Sequence, residues 1–137
     1  RQRASIKEAT ATPVEILAEY LEHHIGNTLV LSAKASSNLD NVVLRPFNML
    51  LVRHEIDSGI IHIARSSIME YCTEHRVSFR KIESALESSG VLTHRNVQKV
   101  LGADTQYAKG QTRTWRIDAK KLDPKTLPAT LAAKTTA

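Results

Sequence analysis

The chain holds one cysteine in 137 residues, Cys72, so no internal disulfide can form; that usage suits a reducing compartment, and a cytoplasmic location is expected. Long hydrophobic runs are missing as well. The apolar stretches extend over only a few residues, far short of the roughly 20 that a helix needs to span a bilayer. Neither end carries a basic segment followed by an apolar core of the kind that directs export. There are only five glycines, and none falls in the GxGxxG or GxxxxGK[ST] spacing that lets backbone amides cradle phosphate. A GxSxG elbow, a paired acidic motif, CxxC and HExxH are also absent. Cys72 and His75 stand at i, i+3, and His54 and His62 could supply two more ligands, but nothing activates the thiol and its expected place is interior. The expectation is a chain with no catalytic residues, no metal and no cofactor.

What the chain does have is positive charge, unevenly placed. Residues 1–75 hold seven Lys/Arg against nine Asp/Glu, residues 76–121 ten against four, and residues 122–137 two against one. Nearly all of the +5 net charge therefore comes from one block. Such asymmetry is expected where one face meets a polyanion, the plain alternative being a Lys/Arg surface that serves solubility. DNA is the expected partner and a membrane is not. With 42% hydrophobic residues, the chain has material for one core and one domain of ordinary size. It begins at Arg1 rather than methionine, and is expected to be an excised domain of a longer protein or a trimmed product.

Taken in order, residues 1–11 are polar and without periodicity. Thr12-Pro-Val-Glu15 then predicts a helix, with Thr12 as N-cap, Pro13 at the first position and Glu15 completing a capping box; Ile16, Leu17, Tyr20, Leu21 and Ile25 share a face, and Gly26 is expected to end it. Glu15, Glu19 and Glu22 fall on the opposite side, which makes this helix a poor neighbour for phosphate. Residues 28–31 are a strand candidate and 36–41 a loop. Residues 49–55 and 60–64 predict a β-hairpin around Asp57-Ser58-Gly59, its register set by whether His62 faces His54 or Glu55. Ser67-Ile-Met-Glu70 looks like a second capping box, opening a helix to about His75 with Ile68, Met69 and Cys72 inward.

Ser78 can cap the next helix, whose Phe79, Ile82 and Leu86 are spaced to face a core, with Ala85 beside them and Ser89-Gly90 at its end. A second hairpin follows, with arms at 91–101 and 112–118 and a loop carrying Tyr107 and Lys109. Trp115 and Ile117 share parity and are expected in the core, so Thr112, Thr114 and Arg116 should point away from it. Two short helices across a tight turn, then a hairpin, is the order of a winged helix-turn-helix. The expected fold class is α+β: a winged helix-turn-helix with an additional N-terminal helix and β-hairpin. A flexible lead-in over 1–11, a single domain over 12–121 and a flexible tail over 122–137 complete the expectation.

In that arrangement the second helix of the pair exposes Ser78, Arg80, Lys81 and Ser84, with Glu83 and Ser88 at the margin of the face. A helix enters a major groove with its N-terminal residues nearest the bases, so Arg80 and Lys81 are the leading contacts. Ser78 and Ser84 suit short-range contacts to phosphate or base. In the wing, Lys99, Lys109, Arg113 and Arg116 suit flanking phosphates or a minor groove, and Arg95, which precedes them with His94, is a further candidate contact. Glu83 and Glu87 put negative charge on the same helix and argue against a deeply inserted reader, so that groove insertion and docking on the backbone alone both stay open.

Residues 51–63, 78–92, 99–105 and 114–117 together resemble the C-terminal winged-helix module of replication helicases or primase-helicases carried by phages, plasmids and other mobile elements. The resemblance covers about residues 45–118. It implies engagement of duplex or forked DNA beside a motor or primase domain, and it carries over no catalytic residue. Two other roles fit the same scaffold: a module that docks a protein partner or another domain of the parent protein, or self-associates, and a transcription regulator.

Overall fold

The computed structural model describes residues 12–32, 42–44, 46–102 and 110–122. Tyr107, Lys109, the lead-in 1–11, the loop 36–41 and residues 123–137 lie outside the described residues. Helix α1 (Pro13–His23) starts as expected. The Thr12 side chain accepts from the Glu15 amide and the Glu15 carboxylate accepts from the Thr12 amide, so two otherwise orphaned N–H groups are satisfied. Gly26 does not end it, because it lies in a 3-10 turn (Ile25–Asn27) with no positive φ. Its smallness serves a close approach instead. The Gly26 carbonyl accepts from the Phe47 and Asn48 amides, and a Cβ there would lie 3.3 Å from the Asn48 side chain.

Six strands follow among the described residues: β1 (Thr28–Leu31), β2 (Val42–Leu44), β3 (Val52–Glu55), β4 (Ile60–Ala64), β5 (Leu92–Lys99) and β6 (Thr112–Asp118). They form one sheet in the order β2-β1-β3-β4-β6-β5, with β1 and β3 parallel and the other pairs antiparallel. The hairpin of β3 and β4 takes neither expected register. Four residues, Ile56 to Gly59, connect the strands, with Gly59 at φ 70° donating to the Glu55 carbonyl, and this sets Arg53 opposite His62 and His54 opposite Ile61.

Helix α2 (Arg65–Glu74) runs directly out of β4, with Ala64 at its N-cap and no side-chain cap. The expected box at Ser67 and Glu70 is therefore not made, and Ser67 lies one turn inside, where its hydroxyl hydrogen-bonds the Tyr20 hydroxyl at 2.6 Å. The earlier start rotates the buried face to Ile68, Tyr71 and Cys72 and leaves Met69 exposed. At the C-terminus Val77 N–H reaches the Cys72 carbonyl and Arg76 N–H the Thr73 carbonyl, a Schellman closure with Arg76 at φ 57°. That conformation costs a residue with a Cβ about 1 kcal/mol, so Arg76→Gly is expected to raise the thermal midpoint by a few degrees, measured by circular dichroism.

Helix α3 (Phe79–Ser88) is capped by Ser78 and stopped by Gly90 at φ 85°, both as expected. The core lies between the helices and one face of the sheet, where Leu17, Tyr20, Ile68 and Leu86 meet Val30, Val52, Ile63, Trp115 and Ile117. Leu122, expected in the tail, joins this core. The other face of the sheet is buried through its middle too: Leu29, Leu31, Arg53, His62 and Thr114 are all buried. Thr114 thus points away from the helices as expected but is not at the surface, and its hydroxyl donates to the Val97 carbonyl. No described helix is long and apolar enough to cross a membrane.

Candidate nucleic-acid interface

Ser78 fixes the first turn of α3 by accepting from the Lys81 amide. Ile82 and Leu86 then turn one side of the helix into the core, and the spacing of 3.6 residues per turn puts Arg80, Lys81, Ser84, Ala85 and Ser88 on the other side. These five residues line a shallow, open depression along the helix. Arg80 and Lys81 are exposed and make no ion pair among the described residues.

Glu83 is not on this face. Its side chain is 5% exposed and accepts from Trp115 Nε1 at 2.9 Å, from Arg65 at 3.2 Å and from Arg95 at 3.5 Å. The Arg65 guanidinium also lies over the Phe79 ring, which stacks on Trp115. One carboxylate thereby ties α2, α3, β5 and β6 together beneath the exposed side of α3. Inward Glu83 takes away half of the negative charge that the sequence suggests for the candidate reading helix.

Glu87 remains outside and is paired. Arg95, from β5, donates through Nε at 2.9 Å and lies 2.7 Å away through a terminal nitrogen, while its other contacts reach Ser84 and Glu83 at 3.5 Å. The hydrogen bond that Arg95 donates to the Glu87 carboxylate, more than the neighbouring charges, pushes the Arg95 pKa further above its usual value. Arg95 is therefore beside α3, as the interface requires, and engaged within the protein.

The remaining strand cations are divided by the pleat. Arg113 shares parity with Trp115, lies on the helix side of the sheet and donates to Asn96. Arg116 and Lys99 belong to the other face, where Arg116 pairs with His62 across β4 and Lys99 is close enough to influence both His62 and Glu55. Ser78, Arg80, Lys81, Ser84 and Arg95 are thus brought together, Arg113 lies on their side of the sheet, and Lys99 and Arg116 do not join them. The alternation along β6 that marks Trp115 and Ile117 as core is also the sequence signal that separates these cations.

The groups considered for metal or nucleophilic chemistry are dispersed. His54 and His62 occupy neighbouring strands but opposite sheet faces, because each stands across from a different residue, so their rings cannot converge. Cys72 is buried, and burial pushes its thiol up, away from the reactive thiolate. His75 stacks on Tyr71 and hydrogen-bonds its carbonyl, while His24 does the same with Tyr20; the two tyrosines meet edge to face. This Tyr/His cluster joins the C-terminal ends of α1 and α2, and no local sequence pattern points to it. Among the described residues, no group of three or more His, Cys, Asp or Glu is placed to hold a metal. Comparison of the chain with protein-family profiles, curated proteins and solved structures yields no match.

Proposed function

We propose that this chain is a non-catalytic DNA-binding module of winged-helix type, belonging to a larger replication protein of a mobile element and engaging duplex or forked DNA through α3 and the hairpin of β5 and β6. The observation that carries the reading is the outward side of α3: two cations in its first turn that make no ion pair among the described residues, and short hydroxyl side chains behind them, of which Ser84 is touched by Arg95 of β5. Support for the winged-helix part comes from the consecutive elements β4, α2, α3, β5 and β6, in which β4 pairs with β6 and β6 with β5. The turn of four residues between α2 and α3 adds to it. With no aromatic residue among the five that line the helix face, phosphate contact and groove shape rather than base stacking are the terms available there.

Binding of a labelled duplex is expected to weaken steeply with salt. The double variant Arg80→Ala, Lys81→Ala is expected to flatten the slope of log K against log salt by nearly 2, at about 0.9 for each phosphate no longer neutralised. Fluorescence anisotropy at several salt concentrations measures both. A folded chain that fails to bind duplex or forked DNA at low salt overturns the reading.

A second reading, docking of a protein partner or self-association, is favoured by Phe47 and Met49, which are 83% and 73% exposed between β2 and β3, where the Phe47 amide donates to Gly26. It predicts a concentration-dependent sedimentation coefficient that Phe47→Ser abolishes and Arg80→Glu leaves intact. A role in regulating transcription would use the same DNA contacts.

A further inference from the structure

The Arg95–Glu87 pair stands at the border of the α3 depression, with which it shares Ser84. Both side chains are close to half exposed, 44% and 45%, so the pair sits in water, where such pairs exchange readily. Glu83, the other acceptor of Arg95, keeps Arg65 and Trp115 if Arg95 departs. Glu83 therefore stays compensated, and nothing buried is left unpaired by the movement. Arg95 is also on an edge strand whose pairing with β6 is irregular on both sides of His94, so its side chain is not confined by an ordered neighbour beyond β5 among the described residues.

Glu87 lies seven residues, or two helical turns, beyond Arg80 and so on the same flank of α3. A phosphate that approaches the Ser84 side of the depression meets a pair of net charge zero. To use Arg95 it must draw the guanidinium away from Glu87, and the bared carboxylate then opposes it.

We infer that Arg95 is a latent phosphate contact held in reserve by Glu87, and that this pair sets how tightly the α3 face engages a polyanion; the inference rests on the DNA-binding reading of that face. The ligand chemistry is a phosphodiester backbone, and the recognition element is the charge-assisted hydrogen bonding of a guanidinium that is always protonated. Glu87 in this role lowers affinity for any duplex, so that binding depends on the contacts made by Arg80 and Lys81.

The test uses the full chain and a fluorescein-labelled duplex oligonucleotide, with anisotropy titrations across salt for wild type, Glu87→Gln, and Glu87→Gln with Arg95→Gln. Glu87→Gln is expected to tighten binding roughly tenfold at low salt and to steepen the salt slope by about 0.9, the signature of one added phosphate contact. The double variant is expected to show neither gain. Unchanged affinity and slope in Glu87→Gln, in a protein whose binding does fall with the Arg80 and Lys81 substitutions, overturns the inference and leaves the DNA-binding reading standing. A double variant that keeps the gain overturns it too, because Glu87 would then act by repulsion alone. Wild-type protein that is folded by circular dichroism and binds no DNA removes both.

Discussion

Glu83→Ala is expected to lower the stability of the fold by about 2–3 kcal/mol, the upper part of the scale for leaving a buried donor unsatisfied, because Arg65 and Arg95, 29% and 44% exposed, regain part of their hydration. The size follows from what the substitution leaves behind. Arg65 Nε is already buried without a hydrogen-bond partner among the described residues, so a guanidinium stripped of its carboxylate would rely on the Phe79 ring and on its exposed part for compensation. The Trp115 indole N–H, in a side chain with no exposure, would lose the acceptor it reaches at 2.9 Å. Glu83→Gln keeps an oxygen for Trp115 but offers no charge to Arg65, and an intermediate loss is expected. Urea unfolding followed by tryptophan fluorescence reads both variants directly, since Trp115 is the sole tryptophan. A loss below about 1 kcal/mol in Glu83→Ala would mean that the network contributes no more than a surface pair does.

The same network explains which parts of the fold can be read from the sequence. Caps are legible where one residue and its neighbour three positions away suffice, as at Thr12 with Glu15 and at Ser78 with the Lys81 amide. The box at Ser67 and Glu70 has the same letters and fails, because β4 delivers the chain into α2 without a break and Ser67 is taken by Tyr20, 47 residues away. Glu83, expected at an exposed margin, is inside for a similar reason. Its partners Arg65, Arg95 and Trp115 lie 18, 12 and 32 residues away, and a helical wheel cannot see them. Alternation along β6 correctly puts Trp115 and Ile117 inside and turns Thr114 away from them, but it carries no sign that the second side of the sheet is also covered at Thr114. The parallel pairing of β1 with β3 leaves no local mark at all. For the candidate interface, the cations are readable as a class and their sorting onto two faces is readable in principle from parity; the Glu87–Arg95 contact is not.

Acid is expected to weaken the fold well above the range where carboxylates titrate. His54 lies on the core side of β3 with 1% exposure, and neither ring nitrogen has a hydrogen-bond partner among the described residues. Burial pushes its pKa down from 6.5 to about 4, with only Glu55 pulling the other way. Between these two values the unfolded chain binds a proton that the folded chain refuses, so the proton favours unfolding. The stability involved is fully present above pH 6.5 and is lost as pH falls to about 4, amounting to about 3 kcal/mol for His54 at 1.36 kcal/mol per pH unit. His62 works in the same direction. Burial first, then Lys99, with Arg116 and Arg53 after the opposing Glu55, lower it to about 4 as well, and solvent at the edge of its cluster reduces its share. Urea midpoints at pH 7.0 and pH 5.0 measure the effect. His54→Leu supplies the control: it removes both orphaned nitrogens and the titration, so it is expected to match or exceed wild type at pH 7.0 and to lose distinctly less on going to pH 5.0. Equal losses in wild type and variant would show that His54 accepts its proton without breaking the core.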